Sequence, residues 1–147
     1  MYLLDTNICI RLMSGNPAIQ QRVTMIKGTT INISVIVAGE LLYGAYKSSR
    51  VTENLSTIYT LFDAVNEIHI VDSETMNIYG MLKAELVERF GPNDKTKFRN
   101  FRIESIGFMD NALWIASIAI QHNLILVSAD TDIMRLNGIE GLKIENW

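Results

Sequence analysis

The sequence has little cysteine and no long apolar run, and each shortage excludes a class of protein. Its one cysteine, Cys9, cannot form a disulfide within the chain, which fits a reducing cytoplasm. The longest apolar stretch, residues 112–120, is far shorter than the roughly 20 residues that a membrane-spanning helix needs. The N-terminus carries Asp5 inside its apolar run and no basic segment before it, which argues against a secretory signal. We therefore expect a cytoplasmic protein.

Positive charge is also scarce, with 13 Lys and Arg against 16 Asp and Glu and a formal net charge of −3. This balance argues against a protein that coats nucleic acid through bulk positive charge, but it permits local binding of a few phosphates. The chain has 147 residues, of which 48% are hydrophobic, and no Pro/Gly/Ser-rich linker or internal repeat divides it. This length and composition predict a single domain over residues 1–147 with its own core.

Short apolar segments alternate with helical patterns along the whole chain. The pattern predicts strands at residues 2–4, 31–34, 68–71, 124–128 and 142–145, with helices between them. Residues 95–107 give no clear pattern. Strands separated by helices form right-handed βαβ units, so we predict an α/β fold with a mostly parallel sheet covered on both faces.

Three acidic residues lie near the predicted carboxyl ends of strands. Asp5 follows the first strand, Asp130 follows the strand in LILVSAD, and Glu40 lies in the helix after the strand in ISVIVAGELLYG. Each has a simpler explanation when taken alone, because Asp5 and Asp130 suit helix caps or turns and an exposed helical Glu is ordinary. Parallel strands bring these positions to one edge of the sheet.

Carboxylates that lie together raise each other's pKa unless a cation neutralises them. Oxygen ligands favour Mg²⁺ or Mn²⁺ over zinc, and such sites hydrolyse phosphodiester bonds. We therefore predict a Mg²⁺ or Mn²⁺ site formed by Asp5, Glu40 and Asp130.

Four segments together resemble the PIN-domain ribonucleases, specifically the VapC toxins of bacterial type II toxin–antitoxin modules. They are LLDTN, ISVIVAGELLYG, DNALWIASIAIQHNLILVSADTD and GLKIENW. The resemblance extends over nearly the whole chain. It implies a five-stranded parallel sheet between helices and a Mg²⁺- or Mn²⁺-dependent endoribonuclease acting on RNA, with tRNA or rRNA as the expected substrate. It also implies a homodimer that a cognate VapB-type antitoxin silences.

The resemblance assigns roles to individual positions. Asp5, Glu40 and Asp130 match the first, second and fourth acids of the family. Thr6 and Ser128 match positions whose hydroxyls support the acids. The frequent family asparagine after the first motif is matched by Asn7.

The third acid of the family is absent from this chain. Relatives commonly read NDLWIAA where this chain reads NALWIAS, so Ala112 stands where an aspartate is expected. Asp110 is a poor replacement, because two residues along a helix correspond to a rotation of about 200°. We interpret Ala112 as a lost metal ligand, by engineered inactivation or, as the second explanation, in a naturally degenerate paralogue. The chain is therefore expected to be inactive or impaired as a nuclease.

Basic residues suggest where RNA could bind. The densest group lies in KTKFRNFR, where Phe98 and Phe101 could pack inward or against a base. The simpler explanation of this segment is a solvated loop. The RNA-binding candidates are Lys95, Lys97, Arg99 and Arg102, with Lys47, Arg50 and Arg11 as secondary candidates.

Two other classes of function are consistent with part of this pattern. Haloacid-dehalogenase and receiver domains also place Asp after the first strand, but they need further acids or a lysine that Asn7 and the 128–130 segment do not supply. A catalytically dead PIN-like binding module, acting through antitoxin or RNA contacts, remains the alternative because of Ala112. His69 and His122 show no metal-ligand spacing and are expected to be structural or surface residues.

Overall fold

The structure is a computed structural model that describes residues 1–26 and 28–147, except for the side chains of Lys95, Phe98 and Arg99. Five strands form a sheet: β1 (Tyr2–Leu4), β2 (Ile31–Ser34), β3 (Glu67–His69), β4 (Ile125–Val127) and β5 (Lys143–Glu145). Seven α-helices are described: α1 (Thr6–Met13), α2 (Pro17–Met25), α3 (Val35–Lys47), α4 (Val51–Ala64), α5 (Ser73–Phe90), α6 (Asp110–Gln121) and α7 (Thr131–Met134). Short 3₁₀ helices cover Lys95–Asn100, Ile103–Ile106 and Ile139–Gly141.

All five strands are parallel, in the order β3-β2-β1-β4-β5. The central strand β1 pairs with β2 on one side and β4 on the other, so Leu3 lies opposite both Asn32 and Leu126. The chain winds outwards from β1 to β3 and then returns to the other side of β1. The strand order therefore reverses between β1 and β4, where α/β sheets usually form their ligand sites. The predicted α/β fold with a five-stranded parallel sheet is confirmed.

Polar side chains fix where the helices begin. The hydroxyl of Ser34 accepts a hydrogen bond from the backbone N–H of Val37 at 3.1 Å and caps α3, as its position after a strand predicts. Asp72 caps α5 in a capping box with Thr75. Ser34 turns the chain out of the sheet at the end of β2, whereas Asp72 begins the next helix three residues after β3 ends.

The third strand differs from its predicted range, because it spans Glu67–His69 and not residues 68–71. It is an edge strand that pairs only with β2, and this ladder ends where Ser34 lies opposite His69 and α3 begins. Ile70 therefore lies outside the sheet and is 66% exposed, although it belongs to the apolar run.

The core is built on the sheet. Leu3, Leu4, Ile33 and Leu126 are fully buried, and Phe108 closes the core beside the start of α6. Within the described residues, no helix combines the length and apolar character required to cross a bilayer.

Candidate active site

Asp5 is at once a helix cap and a buried carboxylate. It follows β1 directly, and its Oδ1 accepts a hydrogen bond from the backbone N–H of Ile8 at 2.7 Å at the start of α1. Its other oxygen accepts a hydrogen bond from the hydroxyl of Ser128. The residue is only 3% exposed. The two explanations that the sequence leaves open for Asp5, capping and site formation, are therefore compatible.

Ser128 connects the two acids that follow strands. It is fully buried directly after β4, and while its hydroxyl donates to Asp5 it accepts a hydrogen bond from the backbone N–H of Asp130 at 3.1 Å. The carboxylate of Asp130 in turn accepts from the backbone N–H of Asp132 at 2.7 Å and caps α7. One hydroxyl therefore fixes the relative positions of Asp5 and Asp130.

Glu40 is held from two other elements. The hydroxyl of Thr6 in α1 donates to Oε2 of Glu40, and the side-chain amide of Asn111 in α6 donates to Oε1 at 2.6 Å. Asn111 is a contact that the sequence reasoning missed. The only available signal was its position next to Ala112.

The three acids border one pocket of about 210 Å³, and Ala112 and Asn7 border it as well. We call it the acid pocket. Asp110 lies outside it: its carboxylate accepts hydrogen bonds from the hydroxyl of Tyr79 at 2.6 Å and from Nζ of Lys83 at 2.7 Å. The rotation along α6 therefore separates position 112 from position 110 as the helix geometry predicts.

The pKa of Asp5 and the oxygen donors of the acid pocket show which kind of cation the pocket suits. Burial is the main cause that raises the pKa of Asp5, and the nearby charges of Asp130 and Glu40 raise it further, whereas the hydrogen bonds from Ser128 and Ile8 lower it. An all-oxygen set with mutual repulsion fits a hard cation. In the described part of the chain, however, no three Asp, Glu, His or Cys side chains are close enough to share one ion. The donors therefore fit Mg²⁺ or Mn²⁺ in chemistry, without forming a three-ligand cluster.

A fourth carboxylate also borders the acid pocket. The sequence suggests a turn residue at Asp132, but its side chain reaches the pocket and pairs with Arg135 at 3.0 Å. Gly107 packs against it with a φ of +95°, and a Cβ at that position would lie 2.8 Å from Oδ2 of Asp132. Glycine is therefore required there by both the backbone conformation and the close approach.

The RNA-binding candidates whose side chains the structure describes lie on several different elements. The side chains of Lys95, Phe98 and Arg99 lie outside the described part of the structure, while Lys97 and Arg102 are exposed in the same segment. Arg11 donates to the carbonyl oxygen of Trp147 at 2.9 Å and is half-buried.

The two remaining candidates lie near α3 and α4. Nζ of Lys47 lies 5.7 Å from the ring centre of Tyr43, and Arg50 pairs with Glu53 at 3.7 Å. None of the described candidates borders the acid pocket.

A second groove, of about 560 Å³, adjoins the acid pocket along α1, α3 and α4. Apolar side chains from all three helices line it, including Ile10, Leu41 and Ile58, and Ile10 is 48% exposed. Glu40 borders both this groove and the acid pocket. An occupant of the groove would therefore lie beside one of the three acids.

Comparisons with known proteins agree with this geometry. Residues 2–139 match the family model described as PIN domain. Ribonuclease VapC2 of Rickettsia felis is 32% identical, over 100% of this chain and 98% of that protein. The tRNA(fMet)-specific endonuclease VapC of Shigella flexneri is 29% identical, over 99% of this chain and 97% of that protein. The crystal structure of VapBC2 from Rickettsia felis bound to a DNA fragment from their promoter has a TM-score of 0.79 and 28% identity, and the match covers 99% of this chain and 98% of that one.

Proposed function

This chain belongs to the PIN-domain family, among the VapC ribonucleases of VapBC systems, and from that premise we propose that it is a Mg²⁺- or Mn²⁺-dependent endoribonuclease toxin impaired at Ala112. The observation that carries the proposal is the convergence of Asp5, Glu40 and Asp130 on one pocket where the strand order of the sheet reverses. The reaction is hydrolysis of an RNA phosphodiester bond.

The residues of the acid pocket divide into two roles. Asp5, Glu40 and Asp130 would hold the cation partly through water, since no three described acids are close enough to ligate one ion directly. When bound, the cation supplies water activation at neutral pH and stabilises the leaving oxygen. Ser128, Thr6 and Asn111 donate hydrogen bonds to these acids and fix their orientation. Oriented carboxylates matter because a small misplacement of reacting groups costs much of the rate.

Ala112 explains why we expect impaired cleavage. It borders the acid pocket but supplies no oxygen, and the carboxylate of Asp110 is bound to Lys83 and Tyr79 outside the pocket. The second candidate function is a binding module without catalytic activity. The absence of a carboxylate at position 112 favours it.

The substrate and partner follow from the relatives. A relative named for tRNA(fMet) supports tRNA as the RNA class, and the VapBC complex among the solved structures supports a VapB-type antitoxin. We propose that a segment of the antitoxin occupies this groove, because apolar side chains of α1, α3 and α4 line it beside polar ones and Glu40 borders both the groove and the acid pocket. The family also supports a cytoplasmic homodimer.

Growth of a bacterial host tests this proposal. We expect the Ala112→Asp variant to arrest growth when it is induced alone, and co-expression of the antitoxin to prevent the arrest. The matched control is Ala112→Asn, which has nearly the same shape but no charge and should not arrest growth.

Adding Asp5→Ala to Ala112→Asp should abolish the arrest. Continued arrest in that double variant would show that Asp5 is structural only, and the metal proposal would fail. Absence of arrest by soluble Ala112→Asp protein would favour the binding module.

A further inference from the structure

A second polar pocket, of about 250 Å³, lies at the opposite edge of the sheet from the acid pocket. Met1, Thr30, Asn66 and Leu124 line it, and each of them directly precedes one of the strands β1 to β4. Its other polar lining includes His69 and His122, so we call it the histidine pocket. The two pockets therefore open at the two ends of the same strands.

His69 is a buried polar side chain whose hydrogen bonding is incomplete. It is 6% exposed, and its Nδ1 lies 3.6 Å from a carboxylate oxygen of Glu67. Its Nε2 is buried and has no hydrogen-bond partner among the described residues. Buried polar atoms nearly always have a partner, so this nitrogen requires an explanation.

His122 supplies a second imidazole beside the first. It is the C-cap residue of α6 and is half-buried, and its ring centre lies 4.3 Å from that of His69 with an angle of 37° between the planes. The hydroxyl of Thr30, which lines the same pocket, is also buried without a partner in the described part of the chain. Two buried polar atoms without a described partner therefore belong to residues that line a pocket where two imidazoles meet.

This arrangement matches the usual surroundings of a metal-binding histidine. Such a histidine commonly directs its second ring nitrogen at a carboxylate, which leaves the other nitrogen free for the metal. Glu67 lies near the position of such a carboxylate, with a carboxylate oxygen 3.6 Å from Nδ1 of His69, just beyond hydrogen-bond distance. Imidazole nitrogens favour Zn²⁺, Ni²⁺ and Cu²⁺, in contrast to the hard cations that suit the acid pocket.

We propose that His69 and His122 bind a nitrogen-preferring divalent ion, of which Zn²⁺ is the representative, and that Glu67 orients His69. Within the described residues no third Asp, Glu, His or Cys is placed to complete the set. The protein therefore supplies two nitrogens, and water or a neutral oxygen of the pocket completes the coordination. A bound ion would connect the edge strand β3 to the end of α6.

Titration of the tag-free, metal-free full chain with Zn²⁺ tests the proposal by calorimetry and thermal unfolding. We expect one Zn²⁺ per chain at the histidine pocket and a rise in melting temperature with Zn²⁺ concentration, because the ion binds only the folded state. Millimolar Mg²⁺ should not displace it. With Cu²⁺ as the probe, electron paramagnetic resonance should show coupling to two imidazole nitrogens.

Three variants distinguish the histidine pocket from the acid pocket. His122→Ala removes a half-buried ligand and keeps His69, and Glu67→Gln retains the size of the exposed side chain. Since loss of an outer partner commonly reduces affinity about 10–100-fold, we expect at least tenfold weaker Zn²⁺ binding in Glu67→Gln and a greater loss in His122→Ala. Asp5→Asn should bind Zn²⁺ as the unchanged chain does. Absence of Zn²⁺ binding, equal binding in His122→Ala, or loss of binding in Asp5→Asn would each overturn the proposal.

Discussion

Ala112 and Asp110 show that the direction of a side chain on α6 determines whether it borders the acid pocket. Both belong to the first turn of α6, yet only Ala112 borders the acid pocket, whereas Asp110 contacts Tyr79 and Lys83 on α5. Helical periodicity alone predicts this separation. It does not predict that Ser117, which shares the face of Asp110, is fully buried and donates to the carbonyl of Leu113. Burial of that face depends on packing between α5 and α6, which a single-helix pattern cannot show.

The raised pKa of Asp5 predicts how the free energy of unfolding depends on pH. Because its pKa is raised, the folded chain still holds a proton at pH values where the unfolded chain, with the ordinary value of 3.8, has lost it. The free energy of unfolding should therefore fall as pH rises from 3.8 through the raised value. In the metal-free state, Asp5→Asn should increase the free energy of unfolding at pH 7 and weaken this pH dependence.

Urea unfolding between pH 4 and pH 8 without divalent cations measures the effect. Asp5→Ala is the contrast, because it also removes the acceptor for the backbone N–H of Ile8. It should be about 0.5–2 kcal/mol less stable than Asp5→Asn at every pH. A loss of stability in Asp5→Asn that is equal at pH 4 and pH 7 would contradict the raised pKa.

Among the elements, the strands β1 and β2 are the most predictable. Both have the predicted bounds, because apolar runs that end at turn or cap residues specify them locally. The segment from 95 to 107 was not predictable. Its two 3₁₀ helices are short, and the second precedes Phe108, which is buried in the core. The conformation of such a segment depends on contacts with residues that are distant in sequence.

Arg135 is the main described contact of this kind. Its guanidinium lies 4.6 Å from the ring centres of both Phe90 and Phe108, and it donates to the carbonyl of Ile106 at 2.7 Å. We expect Arg135→Ala to lower the free energy of unfolding by about 1–3 kcal/mol, from two cation–π contacts, the hydrogen bond to Ile106 and the ion pair with Asp132. Faster hydrogen exchange at residues 103–108 should accompany the loss.

Arg135→Lys is the matched control for that prediction. It keeps the charge but loses the flat guanidinium that contacts both rings, so it should recover less than half of the stability. Full recovery by lysine would show that charge alone holds the segment.

For the whole molecule, right-handed connections between parallel strands explain why distant residues meet. They bring Asp5, Glu40 and Asp130 to one edge of the sheet, and this convergence could be predicted from the strand ends and from the helix that follows β2. The pairing of His69 with His122 could not be predicted, because it depends on the lateral position of β3 beside the end of α6.

Because the chain is acidic overall, RNA binding should depend on a few local cations. If Lys97 and Arg102 contact phosphates, replacing both with Ala in the Ala112→Asp protein should reduce the salt dependence of RNA affinity by roughly 0.7 log units per contact. The free energy of unfolding should change little, because both side chains are exposed. Filter binding across a range of salt concentrations measures the slope.

Lys143→Ala is the control for this measurement, because Lys143 is exposed at the start of β5, at the opposite edge of the sheet from the acid pocket. An unchanged slope in the double variant would assign the RNA path to other cations, such as Lys47 and Arg50.

The central claim is that the acid pocket is a metal-dependent nuclease site that lacks one carboxylate at position 112. Cleavage of a tRNA substrate in Mg²⁺ by the unchanged chain and by Ala112→Asp tests it most directly, with chelator and Ala112→Asp/Asp110→Ala as controls. We predict that Ala112→Asp cleaves about 10²–10³-fold faster, the usual effect of one electrostatic catalytic group. The chelator should abolish this cleavage, and Asp110→Ala should leave it intact. Equal Mg²⁺-dependent cleavage by the unchanged chain, lost on Asp110→Ala, would contradict the account.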